Sequence, residues 1–134
     1  MAYTYSVDDV QRVVRVELSG EFTREDLLAL SGDLAADPRV CPDFVEIIDL
    51  SGVTTTPDAG RSDIRRRATT SLTPVLRRAF VAPQPAIFGL CRMFATFREM
   101  TAKAEPVGVF HTVQEAEEWL SIAGYGGRQD GDAN

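Results

Sequence analysis

The sequence predicts an α/β fold: a mostly parallel sheet of about five strands, opened by an N-terminal hairpin and covered by about four helices. Three observations carry that prediction. Phe44 to Leu50 is apolar on both alternating faces, with Phe44, Ile48 and Leu50 on one and Val45 and Ile47 on the other. A strand apolar on both sides belongs in the interior of a largely parallel sheet covered by helices. Strand-length and helix-period segments then alternate to the end of the chain. Two stretches of capping-box form, Thr23-Arg-Glu-Asp26 and Thr112-Val-Gln-Glu115, mark helix starts.

Tyr3, Tyr5 and Val7 alternate with polar residues, Asp8-Asp9 reads as a turn, and Val14, Val16 and Leu18 alternate with Arg15 and Glu17. That is a hairpin with one apolar face, ended by Ser19-Gly20. After the first capping box Leu27, Leu30 and Leu34 recur at helical spacing, and Leu28 and Ala35 widen the stripe. Glu25 and Asp26 suit the positive end of this helix dipole. The helix is expected to stop near Pro38, and Pro42 leads into the central strand.

Ile64, Ala68, Leu72 and Val75 fall on one side of a second helix, kinked or ended by Pro74, whose other side carries Arg61, Arg65, Arg66 and Arg67. Ala79 to Ala82, closed by Pro83, reads as a short buried strand. Pro85 suits a first helical position. From there Ile87, Cys91, Phe94 and Phe97 form one stripe and Ala86, Leu90, Met93 and Met100 another, more apolar surface than one face against a sheet needs. Val107 to Phe110 is the last strand. Ala116, Trp119, Leu120 and Ala123 share a face of the last helix, with Gly124 as its stop. Crossovers between parallel strands are expected to be right-handed, with the helices spread over both faces.

At 134 residues and 44% hydrophobic, the chain reads as one domain over residues 1–124 with a Gly- and Asp-rich, disordered tail over 125–134. The N-terminus is alternating and acidic rather than basic and then apolar, so no signal peptide is read. The longest apolar segment, Pro83 to Met100, is broken by Gly89, Arg92 and Arg98 and makes no membrane span. A soluble, cytoplasmic protein is expected. Cys41 and Cys91 match no metal or redox spacing and read as reduced thiols. The net charge of −6 is unevenly placed: Arg61 to Lys103 holds nine basic residues against Asp63 and Glu99, about +7, and the rest of the chain about −13.

Open α/β sheets meet their ligands and partners at the carboxyl ends of the strands, which selects the stretch from Asp49 to Gly60. Asp49, Ser51, Thr54, Thr55, Thr56, Asp58 and Gly60 are its candidate partner-binding residues, and Arg61, Arg65, Arg66 and Arg67 form a basic patch behind it. Enzyme chemistry finds little support. His111 follows the last strand and can share an edge with Asp49, Ser51 and Asp58, but there is no G-x-S-x-G elbow, and His111 more simply precedes the Thr112 cap. Asp58 and Asp63 are too few ligands for a dedicated metal cage, and no glycine-rich nucleotide loop occurs. No cofactor, metal or catalytic residue is assigned. The overall acidity argues against nucleic acid, and an acidic protein partner or a phosphate-bearing head group fits the basic patch better.

Asp49-Leu-Ser-Gly-Val53 followed by Asp58-Ala-Gly60 resembles the signature loop of STAS domains, the SpoIIAA-like anti-sigma factor antagonists, in which a strand ending Asp-Leu-Ser precedes a helix opening Asp-Ser-x-Gly. The order of elements, the Phe88-Gly-Leu-Cys-Arg-Met-Phe94 stretch and the closing Val109-Phe110 and Glu115-Ala-Glu-Glu-Trp119-Leu120 resemble the small bacterial SpoIIAA-like proteins of unassigned role, over residues 3 to 123. The resemblance implies a regulatory, non-enzymatic protein-binding module. Where the family pattern places Asp and then the phosphorylatable Ser, this chain has Pro57 and then Asp58. Asp58 is thus either a helix N-cap or a fixed imitation of a phosphoserine. The alternative function is a carrier or sensor of a small apolar or lipid-like ligand, because the Sec14-type lipid-binding domains have a similar architecture. The surplus apolar surface of the third helix also predicts a homodimer or groove through Phe88, Met93 and Phe97.

Overall fold

The structure is a computed structural model whose described residues are 3–56, 60–69, 73–101 and 103–122. The elements run β1 (Tyr3–Asp8), β2 (Val13–Glu21), α1 (Arg24–Ala36), β3 (Val45–Thr55), α2 (Arg61–Thr69), β4 (Arg78–Val81), α3 (Pro85–Glu99), β5 (Val107–Phe110) and α4 (Val113–Leu120). The strands form one sheet in chain order, β1-β2-β3-β4-β5. The first pair is antiparallel and the other three are parallel.

Because each parallel strand adds to the same edge, crossovers of one hand carry every connecting helix over the same face. One core lies there: Val14, Val16 and Leu18 of β2 and Ile48, Leu50 and Val53 of β3 meet Leu30 and Leu34 of α1 and Ile87 and Cys91 of α3. The opposite face receives α4, whose Ala116 and Leu120 pack on Val13, Ile47, Ala79 and Val81. Arg15 of β2 pairs with Glu117 of α4 at 2.7 Å. The helices do cover both faces, but unevenly.

Both capping boxes form. Thr23 Oγ1 accepts from the Asp26 amide at 3.2 Å while the Thr23 amide donates to Asp26 Oδ2 at 3.0 Å. Thr112 and Glu115 repeat the arrangement at the start of α4.

Several boundaries and faces differ from the sequence expectation. Leu28 and Ala35 do not widen the buried stripe of α1; both are exposed, Leu28 by 65%. The central strand does not stop at Leu50. It continues to Thr55, because β2 also runs on to Glu21 and stays paired with it through two register shifts. β3 carries one extra residue between the pairs Glu17–Asp49 and Ser19–Gly52 and another between Gly20–Val53 and Glu21–Thr55, with Gly20 at φ +68°. Such bulges twist and bend a strand without ending it.

α2 ends at Thr69, so Val75 is buried from the loop before β4 and not from the helix; Leu72 lies outside the described residues. β4 begins at Arg78 and ends at Val81, one residue earlier than expected at each end. α3 buries Ile87, Cys91, Ala95 and Arg98. Phe94 and Phe97, expected on its buried stripe, are half-buried beside that line, while Ala86 and Met100 are exposed. α4 stops at Leu120 with Ser121 in the left-handed region, φ 57° and ψ 47°, where Gly124 was expected to end it. Ala123, Gly124 and the tail lie outside the described residues.

Candidate functional site

β4 stops opposite Asp49, so beyond that point β3 keeps β2 on one side and loses its strand neighbour on the other. Gln84, the N-cap residue of α3, takes over this edge. Its side chain makes no cap hydrogen bond. Instead Nε2 lies 3.1 Å from the Leu50 carbonyl, 3.1 Å from that of Ser51 and 2.9 Å from that of Val53. A single amide group, with its two N–H donors, thus lies among the carbonyls of this part of β3.

Within this extension Asp49 accepts from both the Ser51 amide, at 2.9 Å, and Ser51 Oγ, at 2.5 Å. Asp49 and Ser51 are therefore strand residues tied to each other. Thr54 and Thr55 close the strand and are exposed, and Thr56 is half-buried. Gly60 immediately precedes α2 and is exposed. Asp58 lies outside the described residues. His111 sits at the carboxyl end of β5, with its ring stacked on Phe88 at 4.1 Å between centroids and 4° between planes. Its backbone amide donates to Glu115 Oε1 at 3.3 Å. The Ser51-Asp49 pair and His111 are thus engaged with different partners, and no Ser-His-Asp grouping forms from them.

The arginines of α2 divide. Arg65 lies over the Phe97 ring, 5.9 Å from its centroid. Arg66 and Arg67 instead line a cavity of about 430 Å³. Its floor is Leu18 of β2, Ile48 and Leu50 of β3 and Phe80 of β4; Leu27, Leu30 and Leu34 of α1 wall one side and Ile87, Leu90, Cys91 and Phe94 of α3 the other. Ile64 of α2 closes part of the roof, and the exposed Leu28 and Arg66 stand at the rim. α2 packs against α3, and the cavity is lined by side chains from that pair and from α1. Burial within the wall pushes the Cys91 thiol up to about 12, so it stays protonated and unreactive at neutral pH. A second hollow of similar size is lined by both polar and apolar groups, from Tyr3 and Thr4 of β1, Glu17, Leu18 and Ser19 of β2, and Asp49 and Gly52 of β3.

At one end the cavity touches a buried set of charges. Arg78 Nη1 donates to Glu46, Nε to Glu105 Oε2 at 2.8 Å, and Nη2 to the Thr73 carbonyl at 2.8 Å. Arg98 donates to both oxygens of the same Glu105, at 3.2 and 2.9 Å, and to the Ala68 carbonyl at 2.9 Å. Burial alone would raise the Glu105 carboxyl, but the hydrogen bonds and charges of Arg98 and Arg78 outweigh it and hold Glu105 below its ordinary value. Glu46, Arg78 and Arg98 are each less than 8% exposed. Two acids and two bases thus cancel one another under the join of α2 and α3.

Sequence reasoning did not identify the cavity, Gln84 or this charge set. A usable signal was present for the last: Glu46 stands inside an apolar strand, Arg78 opens another, and Arg98 falls three positions after Ala95 on a helix otherwise rich in apolar residues. Of the expected dimer or groove residues, Phe88 packs on the main core and on His111, Phe97 lies under Arg65, and Met93 is half-buried.

Among solved structures, the chain is similar to a crystal structure of an uncharacterised protein of the DUF3478 family with a SpoIIAA-like fold, from Shewanella loihica. The match has a TM-score of 0.57 at 17% identity and covers 89% of this chain and 94% of that one. The fold is SpoIIAA-like, a five-strand mixed sheet with four helices. No protein-family model matches the sequence, and no curated protein matches it. No helix among the described residues is long and apolar enough to cross a membrane.

Proposed function

We propose that this chain is a non-enzymatic binding module that encloses a small, largely apolar ligand between α1 and the α2–α3 pair. The observation that carries this reading is the cavity of about 430 Å³, walled by apolar side chains from both sides and opening beside Leu28 and Arg66. Ligand sites are typically concave, mostly apolar and a few hundred Å³ in volume, with a small number of polar groups to orient the occupant. A tight core without a tenant closes such spaces, since unfilled volume forfeits contacts on every wall. Native mass spectrometry of the purified chain should show a bound mass. Cys91→Phe, which fills the cavity from its α3 wall, should remove that mass and leave the circular dichroism spectrum unchanged. A chain that carries no mass and takes up no apolar probe ends this reading.

A second reading, a regulatory protein-interaction module of the anti-sigma antagonist kind, is favoured by the SpoIIAA-like fold. In it the partner meets the exposed end of β3 at Thr54 and Thr55 and the arginines of α2, with Asp58 in place of the phosphorylatable serine. Changing Arg65, Arg66 and Arg67 to Gln should then slow association with that partner more than it speeds dissociation, and rising salt should weaken the complex. Phosphate found on Asp58 by peptide mapping would overturn the phosphate-mimic version.

A further inference from the structure

We infer that the occupant of the cavity is a single-chain amphiphile with an anionic oxygen head, its chain lying under α1 and its head at Arg66 and Arg67. This rests on the cavity being a ligand site and adds the chemical class of the ligand. The volume sets the size. The cavity's 430 Å³ lies within the roughly 300–1,000 Å³ typical of small-molecule sites.

The lining sets the polarity and the end at which it changes. The walls given by α1, β2 and α3 are apolar almost throughout, and charged groups occur only toward α2 and the amino ends of β3 and β4. Among the described lining residues these are Glu46, Arg66, Arg67 and Arg78, three bases against one acid. Arg78 is unsuited to a head group, since its Nη1, Nε and Nη2 are committed to Glu46, Glu105 and Thr73. Glu46 is committed in turn to Arg78.

Arg66 and Arg67 therefore set the sign of the rim. Both also make contacts within the chain, so what they offer the ligand is positive charge and guanidinium geometry at the mouth. Arg66 is exposed and Arg67 half-buried, so a head placed there keeps part of its hydration and avoids the desolvation that the floor would impose. Carboxylate and phosphate heads share this chemistry, and the direct test separates them.

Binding of dodecanoate, dodecyl phosphate and 1-dodecanol to the full chain should be measured by calorimetry below their micellar concentrations. The acid and the phosphate are expected to bind on the order of tenfold more tightly than the alcohol, a difference of about 1.4 kcal/mol. The double variant Arg66→Gln with Arg67→Gln should erase that difference and leave dodecanol unchanged. Arg65→Gln with Arg92→Gln removes the same charge from residues that do not line the cavity and should retain the preference. Equal binding of all three probes, or equal losses in both double variants, overturns the head-group assignment and leaves the cavity as a site for neutral apolar ligands. Failure of all three probes to bind removes the cavity reading and this inference with it. Tighter binding of dodecyl phosphate than of dodecanoate would assign the head to phosphate, and the reverse order to carboxylate.

Discussion

The ring of Phe88 lies flat against that of His111, with centroids 4.1 Å apart and planes within 4°. The contact joins the first turn of α3 to the carboxyl end of β5. An aromatic pair in contact is worth about 0.5–1.5 kcal/mol beyond its buried area. A double-mutant cycle of Phe88→Ala and His111→Ala should return a coupling of that size by urea unfolding. The same samples bear on self-association: if Phe88 also served a subunit interface, the melting temperature of the parent chain would rise with protein concentration and that of the Phe88 variant would not.

Glu46 should be among the positions least tolerant of truncation. Its carboxylate neutralises Arg78 inside the fold, and removing one member of a buried pair leaves the other charge uncompensated, at a cost of about 3–5 kcal/mol. Glu46→Ala should lose stability in that range in a urea titration, and Glu46→Gln, which keeps an acceptor for Arg78, should lose less. A loss below about 1 kcal/mol would show that Glu105 alone suffices for Arg78.

The alkaline limb of stability should report Tyr3. Its hydroxyl donates to Asp33 Oδ2 at 2.6 Å, and that bond, with burial and the carboxylate charge, pushes the phenol up to about 12. A folded-state pKa above the unfolded value means the native state holds the proton more tightly. The stabilisation is therefore complete below about pH 10 and is lost as pH rises toward 12. Tyr3→Phe should flatten this limb. At the acid end Arg39, through side-chain and backbone hydrogen bonds, and then Tyr5 hold the Asp37 carboxyl well below the usual carboxylate range. Its contribution is present above the ordinary carboxylate pKa and is lost as pH falls through the depressed one, so Asp37→Asn should make acid unfolding less steep.

Ser121 ends α4 in the left-handed region, where a side chain is strained and glycine is not. Ser121→Gly should raise stability by roughly 0.5–1 kcal/mol, net of the extra freedom glycine gains when unfolded. An unchanged or lower midpoint would mean that the serine side chain has its own compensating role.

The alternation of strands and helices was legible because it is written in periodicity and caps. Thr23 and Thr112 start helices by local geometry that no distant residue alters, and Phe44 to Leu50 had to be interior whatever its neighbours were. What escaped was set by distance between elements. The cavity depends on how far α1 stands from α2, and the extension of β3 on pairing with a β2 that also runs past its apparent stop at Ser19-Gly20. Arg98 and Glu105 read as ordinary polar residues because each becomes tolerable in the interior only through the other. For the site, the sequence selected Arg66 and Arg67 as a charged surface without showing that they face an apolar space.

Strand order that repeats chain order also bears on how the molecule assembles. From β2 onward, each new strand emerging from the ribosome finds one neighbour already made and adds to the edge of the growing sheet. Contacts close in sequence favour fast folding, and N-terminal units form first during synthesis. The exception is α4, which closes the second face against Val13 near the other end of the chain. Pulsed hydrogen exchange during refolding should accordingly protect β2 and β3 before β5, and α4 last. Until α4 docks, the apolar back of the sheet is open to other chains, so this last step is where a truncated or slowly synthesised copy should aggregate.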